Sequence, residues 1–124
     1  MSTTIPTGTN VTVLVGTLGR EAEVRTLPSG NRVLAIEVTV RPEAGGTETV
    51  PVAWYDPPEP AMLWIAGEEL LVVGRTRRRF FRSGGATQSR TEVVATSVVP
   101  TRKAAAARKA LVGALEVLDG VPVG

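Results

Sequence analysis

Five segments of the chain are rich in valine and threonine and carry apolar residues at strand-like spacing. Each segment is bounded by Gly, Pro or Ser, which favour turns and interrupt strands. The pattern therefore predicts five β-strands, at residues 11–15, 33–40, 50–55, 70–81 and 90–99.

The segments between the predicted strands carry turn signals and one short helical pattern. Residues 28–31 read Pro-Ser-Gly-Asn, and residues 43–46 and 83–86 are glycine-bearing hairpin loops. After the proline-rich residues 56–60, residues 61–66 are predicted to form about a turn and a half of helix that ends at Gly67.

After Pro100 the composition changes to Ala, Leu, Arg and Lys, which predicts a C-terminal helix. Its apolar residues fall on one stripe and predict a docked amphipathic helix; they are Ala104, Ala107, Leu111, Ala114, Leu115 and Leu118. Its charges oppose the helix dipole, with Arg102, Lys103, Arg108 and Lys109 in the N-terminal half and Glu116 and Asp119 at the C-terminal end. Either the helix tolerates this arrangement, or its basic face adds to an anion-binding surface or contacts an acidic partner.

These elements predict one all-β domain: a flexible N-terminus (residues 1–10), a five-stranded barrel (11–100), a C-terminal helix (101–119) and a frayed end (120–124). Five strands with a short helix between the third and the fourth is the order of an OB-fold, a small Greek-key barrel that often binds oligonucleotides. The pattern alone leaves a five-stranded barrel of another topology open.

The chain contains no cysteine and no histidine, which excludes disulfides, thiolate nucleophiles, imidazole bases and the common zinc ligand sets. Asp56 and Glu59 lie in a proline-rich loop without cationic or metal-ligating companions. We therefore expect no enzymatic activity, no metal and no cofactor. Without a signal peptide or a membrane span in the sequence, we expect a soluble cytoplasmic protein.

Positive charge is concentrated in one segment, although the formal net charge is only +2. Residues 74–82 contain five arginines and two phenylalanines, and no acid occurs from Arg75 to Arg90. Strand alternation puts Arg75, Arg77, Arg79 and Phe81 on one face. Arginines that neutralise phosphates beside rings that stack on bases are typical of single-stranded nucleic-acid binding. The alternative is a solvated edge strand whose arginines prevent aggregation.

Several motifs resemble those of bacterial single-stranded DNA-binding proteins. Residues 11–25, VTVLVGTLGREAEVR, followed by Pro-Ser-Gly at 28–30, are similar to the opening of that family. Thr-Glu at 47–48, Gly67, Gly74 before alternating arginines, and Thr-Glu-Val-Val-Ala at 91–95 follow in the family's order. The resemblance covers residues 11–99.

The resemblance implies an OB-fold that binds single-stranded DNA without sequence preference in replication, recombination or repair. It also implies a homo-oligomer, a tetramer in the family, with a dimer left open. By position, Tyr55 and Phe81 would stack on bases and Trp54 would belong to the core. The arginines expected on phosphates are Arg75, Arg77, Arg79 and Arg82, then Arg78 and Arg90, with Arg20, Arg25, Arg32 and Arg41 as weaker candidates.

The sequence departs from the family at several positions. Thr49 stands where the family stacks a tryptophan, the loop at residues 41–47 lacks an aromatic residue, and Pro51 interrupts a strand. The sequence closes without the family's linker and acidic tail, so recruitment of enzymes through a tail is not expected. These departures leave a second hypothesis open: an OB-fold interaction module or replication-accessory subunit with weak or no DNA binding.

Overall fold

The computed structural model describes residues 5–119. They form six strands and one α-helix: β1 (Thr12–Leu18), β2 (Glu23–Thr26), β3 (Arg32–Val40), β4 (Glu48–Tyr55), β5 (Glu69–Ser83), β6 (Ala86–Pro100) and α1 (Ala104–Leu118). The prediction of a β-rich domain followed by a C-terminal helix is confirmed. The expected frayed end at residues 120–124 and the first four residues of the expected flexible N-terminus lie outside the described residues.

Strand pairing brings five of the strands into a ring. Antiparallel pairs join β1 to β5, β5 to β6, β4 to β3 and β3 to β1, and a parallel pair joins β4 to β6. The pair between β1 and β3 is short, at Thr17 and Leu18, and it closes the ring. β2 lies outside the ring, paired with β3 alone.

β2 is a strand that the apolar pattern does not predict. Its sequence, Glu-Val-Arg-Thr, has one apolar residue in four, and all four residues are exposed. It continues β1 along β3, because Leu18 pairs with Val38 and Glu23 pairs with Ala35. The four residues 19–22 therefore lie opposite only two residues of β3, which makes a bulge between β1 and β2.

The interior of the ring holds the main core. Its fully buried members include Leu18, Leu34, Val38, Leu70 and Val72. Trp54 packs against this core and stacks on Trp64, with ring centroids 6.0 Å apart and an interplanar angle of 18°. These contacts place Trp54 on the core side of β4, as the sequence predicts.

The α-helical turns predicted at residues 61–66 do not form. A 3₁₀ helix spans Glu59–Leu63 instead, with Pro60 in its first turn. At Trp64 the backbone becomes extended (φ −65°, ψ 140°), so that the ring reaches Trp54. Gly67 takes φ 94° in a turn closed by the Glu68 N–H and the Ile65 carbonyl (3.3 Å). The prediction is wrong because Trp64 leaves helical geometry to stack on Trp54, so the helical turn ends at Leu63.

α1 docks by its alanines rather than by its leucines. Ala114 is buried against Leu71 and Val73 on the outer face of β5, and Ala107 and Ala110 pack beside it. The leucines of the predicted stripe, Leu111, Leu115 and Leu118, are exposed. The predicted helix is therefore confirmed, whereas the prediction that its leucines dock on the barrel is wrong.

Candidate nucleic-acid interface

β5 and β6 form a long antiparallel hairpin that extends beyond the ring. They pair from Leu70 and Pro100 at the base to Ser83 and Ala86 at the tip. We call the outer part of this hairpin, residues 75–94, the arm. Its two-residue tip, Gly84 and Gly85, has positive φ at both positions, as a type I′ turn requires.

A β-bulge lies where the arm leaves the ring. Val73 pairs with Ser97 and Gly74 with Ala95, so Thr96 is the extra residue of β6. The Thr96 hydroxyl donates to the Val73 carbonyl at 3.0 Å. A Cβ atom at Gly74 would collide with the Val94 carbonyl oxygen, so this close approach requires glycine.

Cross-strand pairing aligns the residues on one face of the arm. Arg77 pairs with Glu92, Arg79 with Arg90, and Phe81 with Gln88. Residues directly opposite each other on two antiparallel strands point to the same face, and so do residues two positions apart along one strand. These three pairs therefore form one surface, which we call the outer face. Phe81 is 36% exposed on it, and Phe80, on the opposite face, is 67% exposed.

Tyr55, at the end of β4, lies beside the outer face of the arm. Nη2 of Arg77 donates to the Tyr55 hydroxyl at 3.0 Å, and its Cζ lies 5.7 Å from the centre of the ring. The tyrosine is 38% exposed. Arg77 therefore fixes the position of the ring while part of the ring remains accessible.

Glu92 is a residue of the candidate site that the sequence does not single out. It is 3% exposed, and it accepts a hydrogen bond from Nη2 of Arg77 at 2.9 Å. A signal was available, because Glu92 is the only acid between residues 70 and 100. An isolated acid within a basic strand pair indicates a specific cationic partner.

Arg77 differs from the other arginines of the arm because its charge is already paired. Hydrogen bonds to Tyr55 and then to Glu92 raise the pKa of Arg77 above its ordinary value, against the opposing effect of burial. The guanidinium therefore stays charged until the pH is strongly alkaline. Although the sequence puts Arg77 among the phosphate contacts, its neighbours in the structure suit it to positioning Tyr55.

Five other arginines of the arm have no such partner. Among residues 5–119, no carboxylate lies within 4.0 Å of Arg75, Arg78, Arg79, Arg82 or Arg90. Arg79 and Arg90 stand directly opposite each other, an arrangement that is unfavourable for like charges unless an anion binds between them. The outer face thus carries two unneutralised cations, Arg79 and Arg90, beside accessible aromatic rings, whereas Arg78 and Arg82 lie with Phe80 on the opposite face of the arm.

A groove separates the outer face of the arm from β2 and β3. Arg79 and Arg90 line it on one side, and Arg20 and Arg25 on the other. The two latter arginines are paired with acids, Arg20 with Glu37 at 2.6 Å and Arg25 with Glu23 at 3.4 Å, and so provide less free charge. A second hollow, lined by Tyr55, Val33 and Arg25, continues the groove across the end of β4.

Not every predicted residue meets at this surface. Arg75 lies at the base of the arm and lines a groove under α1 together with Lys109. Arg82 lies at the tip, where its Nη2 donates to the Gly85 carbonyl at 3.2 Å. Glu59, one of the two loop acids, binds Arg32 at 3.0 Å, which gives that carboxylate an ordinary surface role.

Comparison with known proteins does not assign this chain to a family. No protein-family model matches it, and no curated protein matches its sequence. Among residues 5–119, no helix is long and apolar enough to cross a bilayer. The site is therefore interpreted from its own geometry and chemistry.

Proposed function

We propose that this protein binds single-stranded DNA without sequence preference, through the outer face of the arm. The observation that carries the proposal is the pair Arg79 and Arg90, which have no carboxylate partner among residues 5–119 and share the outer face with the exposed rings of Tyr55 and Phe81. A basic surface that follows the backbone and aromatic rings on which bases stack are the two elements of single-strand binding. Neither element reads base edges, so no sequence preference is expected.

The strand arrangement supports the assignment of an OB-fold. Without β2, the ring runs β1-β3-β4-β6-β5 and returns to β1, with β4 and β6 parallel. OB-folds bind oligonucleotides on the face of their second and third strands and on two loops, between strands one and two and between strands four and five. The equivalents here are β3, β4, the turn at residues 27–31 and the tip of the arm. The groove described above lies against β3 and the arm.

Each residue type has a distinct task in the proposed complex. Arg79 and Arg90 bind phosphate, which relieves their mutual repulsion and releases counterions from the strand. Tyr55 and Phe81 stack on bases. Phe81 lies four residues along β5 from Arg77, which holds Tyr55, so the two platforms are separated by roughly 13 Å along the strand direction.

The wider role follows from this activity as part of the proposal. Coating of exposed strands serves replication, recombination and repair in the cytoplasm, requires no catalysis and suits a homo-oligomer such as the family's tetramer. The second candidate, an interaction module with weak or no DNA binding, is favoured by one observation, the leucines that α1 leaves exposed.

Titration of labelled oligothymidine and of a matched duplex, followed by fluorescence anisotropy at low and physiological salt, tests the proposal. Binding that prefers the single strand and persists at physiological salt is expected, because stacking is independent of salt. Equal affinity for the duplex, or loss of all binding at physiological salt, would favour the interaction module.

A further inference from the structure

The exposed side of α1 carries a stripe of leucines that no described residue covers. Leu111, Leu115 and Leu118 follow helical spacing and are 41%, 58% and 36% exposed, whereas docking uses Ala107, Ala110 and Ala114. Leu111 is the central residue of the helix Ala104–Leu118. Contiguous exposed apolar surface of this kind indicates a contact with another molecule.

The charges of α1 identify the kind of molecule that fits. The N-terminal half carries Arg108 and Lys109, preceded by Arg102 and Lys103, and the C-terminal end carries Glu116 and Asp119. Cations near the N-terminus and acids near the C-terminus of a helix interact unfavourably with its dipole. The first turn of α1 has no acid and the last turn has no base that would offset this. A second, antiparallel helix with the same sequence would place Asp119 beside Lys103 and its dipole in the favourable direction. Arg102 already pairs with Glu68, and Lys109 and Glu116 line the groove on the barrel side of α1, so these three do not contribute.

We infer that α1 is a self-association surface, on which a second copy of this chain packs its own α1 antiparallel about a two-fold axis at Leu111. Such an axis brings Leu111 against Leu111 of the second copy, Leu115 against the part of Ala107 that the barrel leaves uncovered, and Leu118 against Ala104. Large side chains then lie opposite small ones, which suits close helix packing.

The surrounding surface supports a contact larger than one helix pair. Val13 and Val15 are the cross-strand partners of Val73 and Leu71, on the same face of the sheet on which α1 docks. They are about half exposed, so apolar surface beyond the helix is available to the second copy. This inference does not depend on DNA binding, because α1 and the arm carry different residues.

Single cysteines test the geometry directly, since the chain contains none. In the antiparallel pair, Leu111→Cys places two thiols at the axis, within disulfide reach, and mild oxidation is expected to give a covalent dimer. Leu118→Cys is expected to remain uncrosslinked, because the two positions are about 21 Å apart along the helices. Val112→Cys, next to Leu111 but on another side of the helix, is the matched control and is also expected to remain uncrosslinked.

Sedimentation of the full chain gives the independent readout. The wild type is expected at twice the mass of one chain or more, Leu111→Glu at a lower assembly state, and Val112→Glu at the wild-type state. A monomeric wild type would overturn the inference and indicate that the chain's own terminus or another protein covers the stripe. Crosslinking of Leu118→Cys, or an unchanged mass for folded Leu111→Glu, would equally overturn it.

Discussion

Two arginines on the same face of β5, two residues apart, have opposite surroundings. Arg77 faces buried Glu92 and the Tyr55 hydroxyl, whereas Arg79 faces Arg90. This difference depends on the pairing register of β5 with β6, which alternation within one strand does not reveal. At the residue scale, the partner of each arginine therefore says more about binding than the number of arginines.

Phe81 is expected to contribute affinity that salt does not remove. Phe81→Ala should weaken oligothymidine binding by about 1–3 kcal/mol, or about 5-fold to 150-fold, at every salt concentration. The slope of log affinity against log salt should stay unchanged, because the variant keeps every cation. Phe80→Ala is the matched control on the opposite face and should have a smaller effect. Equal effects of the two variants would remove Phe81 from the interface.

Glu92 is expected to support binding through Arg77 and Tyr55. Among residues 5–119, Glu92 is the only ionic partner of the half-buried Arg77 guanidinium. Glu92→Gln removes the charge of this partner, so the free energy of unfolding should fall by about 1–3 kcal/mol. The variant should also bind oligothymidine more weakly under conditions where it is folded, although removal of a negative charge would by itself strengthen binding.

The control for Glu92 is Glu37→Gln, which removes an acid from a largely exposed pair with Arg20. Exposed pairs contribute about 0–1 kcal/mol, so both stability and affinity should change little. If urea unfolding showed the same stability for the Glu92 and Glu37 variants, or if Glu92→Gln bound more tightly, the positioning role would be wrong.

At the scale of elements, apolar patterning predicts those strands that supply the core. The valine-rich segments became β1, β3, β4, β5 and β6 because their alternate residues are buried in the ring. β2 escaped prediction because backbone pairing with β3, rather than burial, holds it. The 3₁₀ helix was not predicted because its end is set by the stacking of Trp64 on Trp54, a contact between two elements that local patterning does not reveal.

Helical periodicity has a similar limit in α1. It identifies a stripe of alanines and leucines, yet not which part of the stripe touches the barrel. Ala114 permits a close approach to Leu71 and Val73, and the adjacent leucines are then left outside. The contact of Ala114 with the barrel thus determines which side of α1 is buried, and helix propensity alone does not predict this.

The bulge that directs the arm should tolerate no side chain at Gly74. Gly74→Ala would force a Cβ into the Val94 carbonyl, and we expect the free energy of unfolding to fall by about 1–3 kcal/mol. Gly113→Ala is the opposite case, because nothing lies within 4 Å of its added Cβ inside a helix, and it should raise that free energy by about 0.5–1 kcal/mol. Urea unfolding of both variants measures the difference, and equal stabilities would contradict the bulge geometry.

Over the whole molecule, the net charge of +2 conceals an uneven distribution. Arg20, Arg25, Arg32 and Arg102 each pair with an acid, whereas the arm keeps five arginines without one among residues 5–119. An anionic strand would therefore be attracted to the arm rather than to the molecule as a whole. The sequence predicts this basic strand, and its resemblance adds Tyr55, but the groove and the Arg77–Glu92 pair depend on the folded register.

Binding of DNA by the outer face of the arm is best tested by the salt dependence of oligothymidine affinity for the Arg79→Ala/Arg90→Ala double variant. The slope of log affinity against log salt should become shallower by up to about 0.7 for each phosphate that is no longer neutralised. Arg32→Ala/Arg102→Ala removes the same charge from arginines paired with acids and should keep the wild-type slope. Equal slopes for the two double variants would contradict binding of the strand at this surface.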